Sequence, residues 1–306
     1  MNCAPIALFS YNRADHTQLA IESLLQNEEA KSSDLFIFSD GAKNKNAEEG
    51  VNKNREYIHS VCGFNSVTII ERSENWGLSK NLISGITEIV NKYDRVIVVE
   101  DDLIVSPFFL KYMNEALVTY ENTSRVGAIS AFLNPVNANV PETFFLRYFA
   151  CWGWATWKRA WNLFNPDVRL LLKELRWKKN DFNIGGSGPF YDHLYCHKVG
   201  LVDTWAARFY ASLFLANKLV LYPGKTLTIQ SGMDGTGTHS EDSNIFDGMK
   251  LCDRPISICN IPEEENRLMY DAYSAFYGKG VGKYTLRYQF HAMKSFVRRL
   301  LCIDYR

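Results

Sequence analysis

Short, largely apolar runs alternate with amphipathic segments over about the first 130 residues. Five runs have the length of a strand: 6–9, the run from 34 that ends in the Asp-Gly turn at 40–41, 66–72, 96–99 and 126–132. The segments 16–27, 77–93 and 106–120 instead repeat apolar residues every three or four positions, which predicts helices. Strands that are apolar on both faces are typical of a mostly parallel sheet with helices on both sides. The pattern therefore predicts an α/β fold.

The same pattern predicts which residues of the first two helices are buried and where the third helix begins. Ser106 is predicted to cap the third helix, with Pro107 in its first turn. Beyond residue 134 the pattern is looser, with a helix predicted over 202–219 and a strand over 220–223. The predicted core positions of the first two helices are Leu19, Ile21, Leu24, Leu25, Leu78, Leu82, Ile86, Ile89 and Val90.

Polar clusters follow three of the predicted strands, at 11–13, 39–41 and 100–102. In parallel sheets, ligands bind at the carboxyl ends of the strands. The third cluster is Glu100, Asp101 and Asp102, directly after the apolar run 96–99. Adjacent carboxylates repel one another and are costly to desolvate, and their oxygens suit Mg²⁺ or Mn²⁺. A metal site is favoured here over a solvated acidic turn.

Several motifs in order resemble one enzyme family. They are FSYNR, FSDGA, NWGLSKN, VIVVEDDLIVSP, CWGWATW and VDTW, and the resemblance covers roughly residues 3–240. Together they resemble GT-A glycosyltransferases related to family 2, especially the N-acetylglucosaminyltransferase I type, whose metal motif is also EDD. The resemblance implies a GT-A fold, with a mostly parallel central sheet flanked by helices. It also implies a nucleotide-sugar-binding half (1–132), an acceptor-binding half (133–250) and a C-terminal extension (251–306).

The same resemblance implies roles on the donor side. Asp102 would bind Mn²⁺ or Mg²⁺ directly, Asp101 would face the ribose or donor sugar, and Asp40 would contact the base. Arg13 and Lys80 would lie near the nucleotide and its phosphates. The alternatives are a turn residue at Asp40 and surface charges at Arg13 and Lys80. The other predicted donor-binding residues are Ser10, Asn12 and Glu100.

On the acceptor side, the resemblance gives Asp203 the role of the base in an inverting transfer. Val202 stands where the family pattern has a further acid, and Asp203 could instead cap the helix that follows it. Glu241 and Asp242 are reserve candidates for the base. Trp152, Gly153 and Trp154 are predicted to form a wall for a sugar, whereas Trp157 and Trp161 are predicted core residues.

The histidines divide between a loop and a helix. His239 lies in the Gly-rich segment 232–244, which resembles the loop that closes over the donor, and could reach the diphosphate or the metal. An exposed polar loop, in which His239 contacts neither the diphosphate nor a metal, is an equal alternative. His193 and His197 share a helix face near Cys196, but no fourth zinc ligand is evident. They are interpreted as ordinary packed or surface histidines.

Composition adds limits on the partners and compartment. Formal net charge is zero, which gives no support for a nucleic-acid partner. The seven cysteines form no CxxC pair, and no apolar run approaches the roughly 20 residues of a membrane helix. The chain is therefore expected in the cytoplasm. Leu286, Phe290 and Val297 form a stripe beside basic residues, so peripheral contact with the inner face of a membrane is an alternative to simple docking.

These observations lead to one main hypothesis and two alternatives. The main hypothesis is an inverting, metal-dependent transfer from a nucleotide sugar, most simply a UDP-sugar, to a hydroxyl of a glycan or lipid-linked acceptor. Synthesis of a surface polysaccharide or lipopolysaccharide would suit it. The alternatives are a non-catalytic nucleotide- or sugar-binding protein on the same fold, and a nucleotidyltransferase. The segment SYNRADH lacks the Gly-rich loop expected of the latter.

Overall fold

The computed structural model describes residues 3–231, 244–246 and 248–281. Within these residues, eight strands form one sheet and two short strands form a separate antiparallel pair. The strands are β1 (Ile6–Ser10), β2 (Asp34–Ser39), β3 (Ser66–Glu71), β4 (Arg95–Glu100), β5 (Leu103–Val105), β6 (Val126–Ser130), β7 (Thr143–Leu146), β8 (Trp154–Trp157), β9 (Leu219–Pro223) and β10 (Thr228–Gln230).

The strand order of the large sheet is β3-β2-β1-β4-β8-β6-β9-β7. The central strand β1 pairs in parallel with β2 on one side and with β4 on the other. The chain thus builds outwards through β2 and β3, then returns to place β4 on the opposite side of β1. This reversal creates a crevice beyond the carboxyl ends of β1 and β4, where open α/β sheets bind ligands.

Helices cover both faces of the sheet, as predicted. Successive residues of β1 point to opposite faces, so Leu8 lies in one hydrophobic core and Phe9 in the other. Residues of α1 and α4 line the first core, and residues of α3, α9 and α10 line the second. The helices are α1 (Ala14–Leu25), α2 (Lys45–His59), α3 (Leu78–Tyr93), α4 (Phe109–Thr119), α5 (Lys158–Trp161), α6 (Val168–Leu175), α7 (Lys179–Phe182), α8 (Phe190–Lys198), α9 (Trp205–Leu215) and α10 (Arg267–Gly278).

Local differences from the prediction have simple physical causes. Helix α2 was not predicted because it buries few apolar side chains, among them Val51 and Ile58. Leu19, Leu25 and Leu78 are exposed rather than in the core. The strand β3, predicted to be buried, is a partly exposed edge strand.

The start of α4 also differs from the prediction. This helix begins at Phe109, so Pro107 precedes it rather than lying in its first turn. The hydroxyl of Ser106 accepts a hydrogen bond from the Phe108 N–H and donates one to the carbonyl of Cys252. Ser106 therefore connects two distant segments of the chain in addition to ordering the turn before the helix.

The large sheet continues through the second half of the chain. Strand β8 joins β4 to β6, so the predicted boundary at residue 133 falls within one continuous sheet. Met269 and Tyr273 of α10 are fully buried in the same core as α9. No disulfide joins cysteines of the described residues, and no helix among them is long and apolar enough to span a membrane.

Candidate active site

An arginine and two aspartates meet at the crevice between β1 and β4. Arg13 follows β1, and Asp101 and Asp102 follow β4. One guanidinium nitrogen, Nη2 of Arg13, lies 2.6 Å from Oδ1 of Asp101 and 3.0 Å from Oδ2 of Asp102. The backbone N–H of Tyr11 donates a hydrogen bond of 3.2 Å to Oδ2 of Asp101. This group, called the acidic crevice below, shows that an internal cation partly balances the carboxylates.

Burial strongly affects the protonation of the acidic crevice. Burial raises the pKa of Glu100 to about 8, and the charges of Asp102 and Asp101 act in the same direction. Burial also raises the pKa of Asp101, although Arg13 opposes that shift. Burial alone would lower the pKa of Arg13, but the two aspartates raise it overall. In this arrangement the side chains of Asp101 and Asp102 share the single guanidinium of Arg13.

Asp102 and Arg13 each have one polar side-chain atom without a hydrogen-bond partner among the described residues. Oδ2 of Asp102 accepts from Arg13 and, at 3.4 Å, from Gln230, while Oδ1 has no hydrogen-bond partner among the described residues. Nη1 of Arg13 is buried and has no partner either. No group of three His, Cys, Asp or Glu side chains among the described residues could hold a metal alone. A carboxylate oxygen from Asp102 suits Mg²⁺ or Mn²⁺ if substrate oxygens and water complete the shell.

Residues 230 and 231 also contact the acidic crevice, which the sequence did not indicate. The N–H and the hydroxyl of Ser231 donate to the backbone carbonyl of Asp102 at 2.8 and 3.1 Å. His16 Nδ1 lies 3.0 Å from the Ser231 hydroxyl. The pairing of β10 with β5 brings these residues together. No local pattern announces this contact, because its partners are more than 100 residues apart.

Asp40 is buried and serves the loop beside it. Its Oδ1 accepts from the N–H groups of Gly41 and Trp76, and its Oδ2 accepts from the Gly77 N–H and the Asn75 side chain, all at 2.8–3.1 Å. These four donors occupy the lone-pair positions of a carboxylate. The structure therefore does not present Asp40 for direct contact with a base, but shows it organising the loop 75–77.

Ser10 and Asn12 support the acidic crevice through packing. The hydroxyl of buried Ser10 accepts a hydrogen bond of 3.1 Å from the Asn54 side chain on α2. The backbone of Asn12 lies against α2, where a Cβ at Gly50 would come within 2.7 Å of the Asn12 carbonyl oxygen. Helix α2, absent from the prediction, thus fixes the segment that carries Arg13.

Lys80 belongs to a second site, whose lining residues do not include Arg13. It lines a cleft of about 390 Å³ together with Ser79, Ile83, Ser84, Asp203 and Arg208, called the Asp203 cleft below. The ammonium of Lys80 lies 4.3 Å from the centre of the Trp76 ring. The carboxylate of Asp203 is 64% exposed, with Oδ1 3.3 Å from Arg208 Nη2 and 3.5 Å from His197 Nδ1.

The alternative role of Asp203 as a helix cap is wrong. Thr204 caps α9 instead, because its side-chain oxygen accepts a hydrogen bond from the Ala207 N–H. The Asp203 carboxylate therefore remains available to a ligand. His197, interpreted as an ordinary histidine, accepts a hydrogen bond from the Thr204 N–H at 3.2 Å. Burial lowers the pKa of His197, and the charge of Arg208 adds to this effect.

The tryptophan cluster is mainly core. Trp154 is fully buried and stacks on Trp205 with ring centres 5.4 Å apart, so the prediction that it faces a sugar is wrong. Trp157 and Trp161 are buried, which confirms them as core residues. Gly153 is also buried, at φ +75°, and a Cβ there would lie 2.6 Å from the Thr228 side chain.

Trp152 remains the candidate for a sugar contact. It is partly exposed and packs edge-on against Phe132 and Phe246. Its neighbour Cys151 has a raised pKa because of burial and the nearby charge of Glu100. The Thr228 hydroxyl on β10 donates to the Trp152 carbonyl at 2.7 Å, and Gln230 on the same strand contacts Asp102, so the segment 151–152 lies near the acidic crevice. His239, Glu241, Asp242 and the C-terminal basic segment lie outside the described residues.

Comparison with known families identifies the chain. The model of the GNT-I family matches residues 1–169, which is more than half of the 306 residues. The chain belongs to the GNT-I family. This membership and the α/β sheet confirm the predicted GT-A fold and glycosyltransferase activity. The match includes every residue of the acidic crevice but ends before Asp203.

Solved structures similar to this GNT-I family member include two glycosyltransferases. The mannosyltransferase PcManGT from Pyrobaculum calidifontis, in complex with GDP-Man and Mn²⁺, is 10% identical, with 70% of this chain and 68% of that chain covered and a TM-score of 0.41. S. aureus TarS 1–349 is 12% identical, with 76% and 61% covered and a TM-score of 0.44. The chain thus spans about three fifths of that TarS fragment. No curated protein matches the chain.

Proposed function

We propose that this GNT-I family member is an inverting, metal-dependent transferase. It would move a sugar from a nucleotide sugar, most simply a UDP-sugar, to a hydroxyl of a glycan or lipid-linked acceptor. The observation that carries the proposal is the pair of available atoms in the acidic crevice, Oδ1 of Asp102 and Nη1 of Arg13. A cation ligand and an anion donor lie side by side, as recognition of a metal-bound diphosphate requires.

On the donor side, Arg13 acts as a phosphate ligand and Asp102 as the metal ligand. A bound Mn²⁺ or Mg²⁺ would stabilise the negative charge of the departing nucleoside diphosphate. Asp101 holds Arg13 in position through the 2.6 Å ion pair. Asp40 acts indirectly, because its hydrogen bonds fix the loop 75–77 against which the nucleotide would rest.

On the acceptor side, Asp203 takes the proton from the attacking hydroxyl. Its carboxylate faces solvent and the Asp203 cleft, where an acceptor can reach it. Arg208, whose side chain is buried, holds one oxygen of this carboxylate and favours its charged form. Lys80 provides a cation on the opposite side of the cleft, on α3. Trp152 would pack against a sugar ring near the acidic crevice.

An acceptor in a surface polysaccharide or lipopolysaccharide pathway, with the enzyme in the cytoplasm, remains part of the proposal. Free thiols suit that compartment, and a lipid-linked acceptor would suit a peripheral membrane enzyme. Contact of the C-terminal basic segment with a membrane stays a prediction from the sequence alone.

Calorimetric titration tests the donor side of the proposal. UDP, GDP and CDP would each be titrated with and without Mn²⁺ into the wild type, into Asp102→Asn and into the control Asp34→Asn. We expect one nucleotide to bind tightly only with Mn²⁺, and Asp102→Asn alone to lose that dependence. Binding that ignores Mn²⁺, or that survives unchanged in Asp102→Asn, would contradict a metal-linked donor site.

A further inference from the structure

A large aromatic side chain is exposed at the end of α6, away from both proposed sites. Trp177, in the turn that follows α6, is 84% exposed, and Leu170 on α6 is 40% exposed. The opposite side of α6 packs against the rest of the protein, because Leu171, Leu172 and Leu175 are buried in the core. The exposed pair is therefore held by a well-packed helix and is not covered by the described part of the chain.

Cations surround this exposed pair. Arg169, Lys173 and Arg176 recur at three- and four-residue intervals on the exposed side, and Lys178 follows Trp177. No carboxylate of the described residues lies within ion-pair distance of these four side chains. Lys179, which comes next, is already paired with Asp192 on α8. Two acids belong to the same segment, exposed Glu174 on α6 and Asp167 at its N-cap, so four cations face two carboxylates and positive charge is in excess here.

The guanidinium of Arg176 lies 4.3 Å from the centre of the Trp177 ring, and none of the four cations has a carboxylate partner among the described residues. An exposed tryptophan beside such cations fits one class of partner. Tryptophan favours the interface between water and lipid, where its ring is buried and its N–H stays hydrated. Each Lys or Arg near an anionic membrane adds attraction, and long basic side chains can extend to the headgroups while their stems contact apolar surface. An acidic polymer would account for the cations but not for the exposed apolar side chains.

We propose that the exposed side of α6 and the turn after it form a binding surface for an anionic lipid bilayer. This surface, called the α6 surface, consists of Arg169, Leu170, Lys173, Arg176, Trp177 and Lys178. It is distinct from the C-terminal segment predicted to contact membranes from sequence. The α6 surface also belongs to a helix that packs on α8 and α9. His197 lies on α8, and Asp203 directly precedes the N-cap of α9. A bilayer bound there lies against the same helical layer as the Asp203 cleft.

Vesicle co-sedimentation of the full chain tests the proposal. Vesicles of phosphatidylcholine with about 30% phosphatidylglycerol, which carry a clear anionic charge, would be compared with vesicles of phosphatidylcholine alone. The test variant is Arg169→Gln/Lys173→Gln/Arg176→Gln. The matched control, Lys43→Gln/Lys45→Gln/Lys53→Gln, removes the same charge from an exposed region elsewhere. A second comparison is Lys294→Gln/Arg298→Gln in the C-terminal segment. Circular dichroism would check that each variant is folded.

We expect binding that requires phosphatidylglycerol and weakens about 100-fold in the α6 variant, at about fivefold for each charge removed. The matched control should weaken by less than about threefold. Trp177→Ser should also weaken binding several-fold, and brominated lipid should quench fluorescence less in Trp177→Phe than in the wild type. The proposal is overturned if wild-type binding does not depend on phosphatidylglycerol, or if binding weakens as much in the matched control as in the α6 variant. It is also overturned if Trp177→Ser binds vesicles as tightly as the wild type, or if only the C-terminal variant loses binding.

Discussion

The acidic crevice and the Asp203 cleft contain the same pair of residue types in opposite arrangements. In the crevice, the side chain of Asp101 is only 8% exposed and Arg13 covers it. In the cleft, the arginine is the buried partner, with Arg208 9% exposed, while Asp203 faces solvent. An ion pair can thus either close off a carboxylate or support one from beneath. The first arrangement suits a fixed binding site, and the second suits a group that must meet a changing acceptor.

The two sites also differ in what holds them. The acidic crevice is built at the ends of two adjacent parallel strands, so its residues are fixed by the register of the central sheet. The Asp203 cleft joins the first turn of α3 to the start of α9, where the Ser79 hydroxyl donates to the Asp203 carbonyl at 3.3 Å. Its geometry therefore depends on helix packing. The following predictions test whether the two sites have the separate roles of donor binding and acceptor activation.

The largest expected effect is at the acidic crevice. Asp102→Asn should lower kcat by about 10³-fold, because it removes the carboxylate proposed to hold the metal that stabilises the leaving group. Initial rates at saturating donor over a range of Mn²⁺ would measure it. Asp34→Asn, at the far end of β2, is the control and should keep wild-type rates. A folded Asp102→Asn enzyme with full turnover would contradict the donor-side role.

Asp203→Asn should have the next largest effect, a loss in kcat of about 10²-fold, because it removes the carboxylate proposed as the base. Unlike Asp102→Asn, it should leave Mn²⁺-dependent nucleotide binding unchanged, which separates the two sites. The control is Asp192→Asn on α8, a similarly exposed carboxylate paired with Lys179. If Asp203→Asn lost nucleotide binding as well, the division between donor and acceptor sites would be wrong.

Asp40→Asn should act on stability. One oxygen would become an NH₂ group that faces backbone N–H donors, leaving a buried donor without a partner. The free energy of unfolding should fall by about 2 kcal/mol. Urea denaturation would measure this loss beside Asp34→Asn, whose carboxylate accepts only from exposed side chains and should change little. Unchanged stability with weakened nucleotide binding would instead restore a direct contact between Asp40 and the base.

The smallest expected effect is the pH dependence at His197. Its pKa is lowered in the folded protein by burial and by Arg208, so the unfolded chain binds the proton more tightly. The stability from this residue is therefore present above about pH 6.5, the ordinary pKa, and is lost as pH falls towards the folded-state value. Thermal unfolding from pH 5 to 7.5 should show a shallower decline in His197→Gln than in the wild type.

Much of the fold of residues 1–132 could be predicted from the sequence. The apolar runs gave β1, β2, β4 and β6 within a residue or two, because a buried parallel strand is apolar throughout. The acids after β4 marked the site for the same reason, since charges directly after a buried strand need a partner. The helix α2 and the strand β10 escaped prediction, because one buries little apolar surface and the other is three residues long.

The sequence by itself determined the α/β class, the strand-end position of the acids, and the residue types of the proposed metal and diphosphate site. These depend on composition and on patterns within a few residues, so the local chain contains the information. Only the tertiary structure decided that Arg13 joins Asp101 and Asp102, that Asp40 is fully occupied, that Trp154 is core and that Thr204 caps α9. Each of these depends on which distant groups the fold brings within hydrogen-bonding or packing distance, and no short pattern encodes that.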